Sequence, residues 1–219
     1  MIIDHTDRRH MHLWENSDNR YNGAYFYSKE IVANIIPNVE TDRNWVTIHV
    51  HGLCANHSVV FIHNNLNPHM YSWMQRFDDL VLVCGVPETM DNMRYLGTPL
   101  YLPLSVDVPY VESFSKPKTK DTAYVGRPSK RRGEGARVDF QAGTDFLEGI
   151  PRTELLSRMA EYEKVYAIGR CAIEAKILGC EILPYDPRFP DPSIWKVLDN
   201  RDAAKILQEK LDEIDRRES

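Results

Sequence analysis

Long apolar runs are missing from this 219-residue chain. None approaches the roughly 18 residues needed to cross a bilayer, and no signal-type apolar segment follows Met1. A cytoplasmic protein without a membrane span is expected. Cysteine is scarce: Cys54, Cys84, Cys171 and Cys180 are scattered through largely apolar settings, which predicts reduced core thiols rather than disulfides. No CxxC or HExxH accompanies the eight histidines. His10 with His12, and His49 with His51, have the alternate spacing that puts two imidazoles on one face of a strand. Lacking a motif to complete either pair, a metal site is the weaker reading, and none is expected. The chain also lacks a G-x-G-x-x-G at a strand end, which counts against a dinucleotide oxidoreductase. Repeats and low-complexity tracts are absent as well.

What is present is ordinary globular composition, 42% hydrophobic and 27% charged, with a net charge of −5. Short runs rich in Val, Ile and Leu stand at Trp45 to Val50, Ser58 to His63, Leu80 to Cys84 and Pro99 to Leu102, as buried parallel strands do. Helical patterns lie between them: Ala24 to Ile36, stopping before Pro37, then His69 to Phe77 and Glu88 to Tyr95. Strands alternating with helices predict βαβ units and a doubly wound sheet. A polar stretch with Lys alternating around Pro117 reads as a linker, residues 115–122, between domains at 1–114 and 123–219. The second domain is expected to carry strands at Tyr124-Val125, Arg137 to Phe140, Val165 and Glu181 to Pro184. Its helices are expected at Thr153 to Tyr162, around Glu174, at Ser193 to Leu198 and at Arg201 to Arg217. The last of these has many Glu/Lys and Asp/Arg side chains three or four apart.

Two segments bear on chemistry. In Tyr166 to Gly179, Gly169 opens a helix with Arg170 in its first turn, and the lone carboxylate Glu174 sits one turn further in. A helix N-terminus offers unpaired N–H groups and positive charge to a phosphate, Gly lets a ligand approach the backbone, and a carboxylate at the rim accepts ribose hydroxyls. An amphipathic helix with Cys171, Ile173, Ile177 and Leu178 in a core and Glu174 on a solvated face explains the segment equally well. The second segment is the window 116–137, which holds eight basic residues against Asp121 and Glu134. Its positive charge is concentrated behind the short apolar run Ala123-Tyr124-Val125, so it reads as an anion-binding loop or as a solvated basic surface.

Together the two segments resemble the C-terminal half of GT-B-fold glycosyltransferases, in particular the large retaining group that uses nucleotide-diphospho-sugars. Gly126-Arg127 is followed, six and seven residues after that glycine, by Arg132-Gly133, where the group carries Lys-Gly. Gly169, Glu174, Ala175 and Gly179 fall on the group's Glu-x-Phe-Gly-x-x-x-x-Glu-Ala pattern and its later Gly, with Tyr166 in place of the first Glu and Ile168 in place of the Phe. The resemblance implies two small Rossmann-like domains with parallel sheets and a C-terminal helix that crosses back to the first domain. It implies a donor diphosphate held by Arg127 and Arg132 with Gly126, Gly169 and Arg170, and a ribose held by Glu174. Asn22-Gly23, ahead of the first helix, resembles the family's Gly-rich phosphate loop and is also an everyday turn dipeptide. His63, ending a buried strand, stands where many relatives touch the donor sugar, and a satisfied loop histidine fits it as well.

The expected activity is transfer of a sugar from a nucleotide-diphospho-sugar, without metal or further cofactor, to an acceptor that is a glycan, a small molecule or a DNA base. His63, Arg127 and Arg132 are the expected catalytic residues. Tyr166 at the missing Glu motivates the alternative, a catalytically silent nucleotide- or nucleic-acid-binding protein of the same fold, with the basic window tracking a phosphate backbone.

Overall fold

The computed structural model describes residues 1–3, 23–47, 54–62, 72, 74–85, 90, 93–126 and 140–218. Its elements, in chain order, are β1 (Ile2–Ile3), α1 (Gly23–Glu30), β2 (Asn44–Val46), β3 (Ser58–Ile62), β4 (Leu80–Cys84), β5 (Thr98–Tyr101) and α2 (Val108–Glu112). There follow β6 (Lys120–Gly126), β7 (Asp145–Glu148), α3 (Arg152–Met159), β8 (Tyr162–Tyr166), α4 (Arg170–Ile177), β9 (Glu181–Leu183) and α5 (Asn200–Glu218). The protein is α/β, with two all-parallel sheets and a long C-terminal helix. It divides into two compact units, Met1–Pro103 with Asn200–Ser219, and Leu104–Asp199. Among the described residues no helix is long and apolar enough to cross a membrane.

In the first unit the strands run in the order β1-β2-β3-β4-β5. β3 and β4 are buried at every position, because both faces of a parallel sheet are covered. One face sets Val46, Val60, Leu82 and Leu96 against Met74 and Met93. On the other, Phe61 meets Trp45 and the edge of Tyr27, with ring centroids 6.3 and 6.2 Å apart. The helix after β1 does not stop before Pro37. It continues from α1 through a π-helical turn, Ile31–Ile35, and a 3₁₀ turn, Ile36–Asn38, that accommodates Pro37 because a proline in a first turn forgoes no bonded N–H.

Helix α5, which the domain bounds 123–219 place in the second domain and the resemblance carries back to the first, belongs to the first unit. Its buried residues Ala203, Ala204, Leu207 and Leu211 form a single stripe that meets the π turn carrying Ile31 and Ile35. Asn200 Nδ2 donates to Glu30 Oε2 at 2.8 Å, and Gln208 exchanges two bonds with the Glu40 backbone, at 2.6 and 3.0 Å. The far end is tied by Arg43, whose Nη2 lies 2.8 Å from Asp215 Oδ1 and whose Nη1 lies 2.5 Å from Asp79 Oδ1.

Arg43, His57 and Asp79 immediately precede β2, β3 and β4, so the parallel register brings them together at the amino edge of the sheet. His57 bridges Asp79, through Nδ1, and Asp42, 3.1 Å from Nε2. Asp79 and then Asp42 hold the imidazole pKa above its ordinary value of 6.5. A raised pKa stabilises the fold fully below the unfolded value and the gain is lost as pH climbs through the folded one. His57→Asn suits the left-handed φ of 53° here. The melting temperature of wild type should therefore exceed that of His57→Asn most below about pH 6.5, and the gap should close at alkaline pH. A gap constant from pH 5 to 9 would contradict the assignment.

In the second unit the order is β7-β6-β8-β9. The chain lays β7 on one side of β6 and then returns to build β8 and β9 on the other, so its direction reverses between β6 and β8. The unit closes where the chain enters and leaves it: Val106 bridges Asp199, Val106 N donates to Leu198 O at 3.1 Å, and Val108 N to Asp199 Oδ2 at 3.1 Å. Several expected elements differ. Residues 120–122, expected in a linker, begin β6. Of the expected strand Arg137 to Phe140 only Phe140 lies within the described residues, as irregular chain, and a strand not expected there, Asp145–Glu148, pairs with β6. Tyr162, expected to end a helix, opens β8, and the segment from Ser193 forms only the 3₁₀ turn Pro192–Ile194.

The candidate nucleotide site in the second unit

Ligands of open parallel sheets bind outside the carboxyl ends of the strands where the strand order reverses. In the second unit that point lies between the ends of β6 and β8. Pairing of Tyr124 with Tyr166 puts Gly126 and Ile168, each two residues further on, level at this edge. Gly126 ends β6, and Gly169 turns the chain from β8 into α4.

Gly169 caps α4 with φ 60° and ψ −136°, a conformation that favours glycine, and a Cβ there would meet no described atom within 4 Å. Its carbonyl receives Ala172 N at 3.1 Å and Ile173 N at 3.2 Å. The N–H groups at the start of the helix lie at the carboxyl edge of the sheet, the arrangement that holds anions. Gly126 is required for a different reason. A Cβ would come within 2.4 Å of the Tyr124 hydroxyl, and that ring is packed between Phe140, Phe146 and Tyr185 with centroids 5.1 to 5.9 Å away.

Glu174 is 2% exposed, so the solvated-face reading of this helix is overturned. Its Oε1 meets Arg170 Nε at 2.9 Å, one turn back on the same helix. Arg152, the first residue of α3, meets the same oxygen with Nε at 3.0 Å and Nη2 at 2.8 Å. The pattern explains why Ala172, Ile173 and Ala175 are buried beside it: the helix turns both its small apolar residues and its carboxylate inward. Arg152 is not among the residues singled out from sequence. The available signal was a basic residue at the first position of a helix, where the macrodipole favours acids; it recurs at Arg170. Two such cations call for a nearby carboxylate.

Tyr166, which stands where the GT-B pattern has its first Glu, is 6% exposed and packs with Tyr124, Tyr185 and Phe140, its ring centroid 5.0 Å from that of Phe140. Burial, then the neighbouring Tyr124, pushes the Tyr185 phenol well above its usual range. In the basic window, three lysines bond inside this unit. Lys118 Nζ donates to the Ala160 and Leu178 carbonyls at 3.0 and 2.7 Å, satisfying the C-termini of α3 and α4. Lys116 and Lys120 meet Glu161 at 3.1 and 2.8 Å.

Gly126, Gly169, Arg170 and Glu174 thus share one end of the second unit. Gly23 opens α1 in the first unit. His63, Arg127 and Arg132, with His10, His12, His49 and His51, lie outside the described residues. Among those described, no group of three His, Cys, Asp or Glu side chains is placed to hold a metal ion. The fold and this edge define a protein of two Rossmann-like α/β units, the second with a Gly-capped helix starting at the strand-order reversal of its sheet. No model of a known protein family matches the chain, and no curated protein matches it.

Proposed function

We propose that the protein is a compact, metal-independent, GT-B-like glycosyltransferase whose second unit holds the nucleoside diphosphate of a nucleotide-diphospho-sugar. One observation carries the reading: a Gly-capped helix N-terminus and a clamped carboxylate, Glu174, meet at the strand-order reversal of an all-parallel sheet. The diphosphate lies at the start of α4, with Arg127 and Arg132, which follow Gly126 in the sequence, supplying cations. The bond between the anomeric carbon and the diphosphate oxygen breaks, the nucleoside diphosphate leaves with the electron pair, and the acceptor bonds to the sugar and loses its proton. Charge growing on the leaving diphosphate is neutralised by groups already in place. His63 contacts the sugar, and Gly23 opens the helix after the family's phosphate loop. Cys54, Cys84, Cys171 and Cys180 are not joined in disulfides, which accords with a cytoplasmic setting.

The burial of Tyr166 favours a second reading, a nucleotide-binding protein of this fold without transfer activity, because no carboxylate stands at the sugar-facing family position. Nucleic-acid binding draws less support, since Lys116, Lys118 and Lys120 are engaged within the unit.

Thermal stabilisation against a panel of nucleoside diphosphates and their sugars tests the site. Saturating one ligand at about 100 times its Kd should stabilise the protein by about 2.7 kcal/mol. Arg127→Ala should abolish the shift and Arg217→Ala should retain it. A flat panel beside a salt-sensitive gel shift with DNA would replace this reading with nucleic-acid binding.

A further inference from the structure

We infer that Arg152 is a positioning residue for the nucleotide site: it locks the Glu174 carboxylate through Oε1 and so turns Oε2 toward a sugar diol. The inference rests on the nucleotide reading above and extends it to a residue on another helix.

All the contacts made by Glu174 to its two arginines fall on the same oxygen: Arg152 Nε at 3.0 Å, Arg152 Nη2 at 2.8 Å and Arg170 Nε at 2.9 Å. Among the described residues no hydrogen-bond donor reaches Oε2. Arg170 stands four residues before Glu174 and can restrain the carboxylate only along the axis of α4. Arg152 approaches from α3 and supplies the second direction. Two fixed directions on one oxygen leave the carboxyl plane a single orientation, and the other oxygen is then an acceptor held in advance of its ligand. Such preorganisation is what separates a binding carboxylate from a merely buried one.

Arg152 is itself held. Its guanidinium carbon lies 5.2 Å from the centroid of the Tyr110 ring, and Tyr110 meets Phe114 edge-on at 5.3 Å. Tyr110 stands on α2, a helix capped by Asp107, whose Oδ1 accepts from Tyr110 N at 3.0 Å. The planar guanidinium therefore contacts a ring and donates from Nε to the carboxylate, with Nη2 2.8 Å from the same oxygen outside hydrogen-bond geometry, an arrangement that the point charge of a lysine does not reproduce. Both arginines also begin helices, where a cation opposes the dipole. Such departures from local preference concentrate at functional positions.

Isothermal titration calorimetry with ADP, GDP and UDP, their 2′-deoxy counterparts and inorganic pyrophosphate tests this on wild type, Arg152→Met and Arg152→Lys. Wild type should prefer one ribonucleotide over its 2′-deoxy form by about tenfold or more, the worth of a hydrogen bond to a charged acceptor. Both variants should bring that ratio close to one while leaving pyrophosphate affinity within about twofold, since the phosphate contacts stay in place. A purely structural role would weaken ribo, deoxy and pyrophosphate binding together and would overturn the inference. If Arg152→Met does not fold, Arg152→Lys, which keeps the charge and loses the fork, decides alone. A wild type that prefers the ribonucleotide, with variants that keep the preference, refutes the role of Arg152 and leaves the nucleotide site standing. A wild type with no preference, or no binding, refutes the nucleotide reading itself and this inference with it.

Discussion

Replacing Glu174 by alanine is expected to destabilise the second unit by about 3–5 kcal/mol, because it leaves two arginines buried without their carboxylate. Arg170 is 5% exposed, and the Arg152 side chain 12%, so water reaches neither freely. The readout is hydrogen exchange in β8 and α4 with a matched urea titration. A loss under about 1 kcal/mol would show that the cluster is solvated in solution and that the burial of Glu174 has little energetic weight. The size of the expected loss also bears on ligand experiments. A Glu174→Ala protein that no longer binds a nucleotide has two explanations, unfolding and loss of the proposed ribose acceptor. Glu174 variants are therefore informative only at temperatures where exchange shows the unit folded, and changes at Arg127 or Arg152 make the cleaner functional probes.

The second large effect is expected at the C-terminal helix. Leu207 is fully buried in the stripe that α5 turns toward Ile31 and Ile35, both fully buried as well. Leu207→Ala should cost about 2–5 kcal/mol through lost transfer energy and an unfilled cavity. The signature is local: amide protection should fall across the π turn Ile31–Ile35 and in α5 itself. The polar ties at Asn200, Gln208 and Asp215 remain in this variant. Unchanged protection would mean that these ties, rather than the apolar stripe, hold the helix. Truncation of the helix before Asn200 combines both losses and should leave the first unit without stable protection.

Much of the fold was legible because burial on both faces of a parallel sheet forces continuous apolar runs. Val59 to Ile62 and Leu80 to Cys84 are such runs, and strands lie there. The helix over Arg170–Ile177 was legible from its glycine and period. The misplaced elements share a cause. Phe146 and Asp145 in β7 are exposed at the sheet edge, so the strand lacks a continuous apolar pattern. Lys120 and Asp121 in β6 are exposed as well, and of the lysines that suggested a linker, Lys116 and Lys120 reach outward to Glu161. The turn through Pro37 is helical because only backbone geometry, and not periodicity, distinguishes a 3₁₀ turn from a helix end.

At the candidate site, sequence pointed to Gly126, Gly169, Arg170 and Glu174 because spacing within one helix, and at the end of one strand, is local information. Sequence by itself determined the class of the fold, the strand cores and the glycine that opens α4, since these depend on the period of burial and on conformations that only glycine adopts readily. Tertiary structure decided which residues of α5 meet Ile31 and Ile35 and that Arg43, His57 and Asp79 form one charged cluster. It also decided that Glu174 is clamped from a second helix by Arg152, a partner 22 residues away. Those pairings arise from register and packing between elements far apart in the chain, and no local pattern encodes which ends will meet.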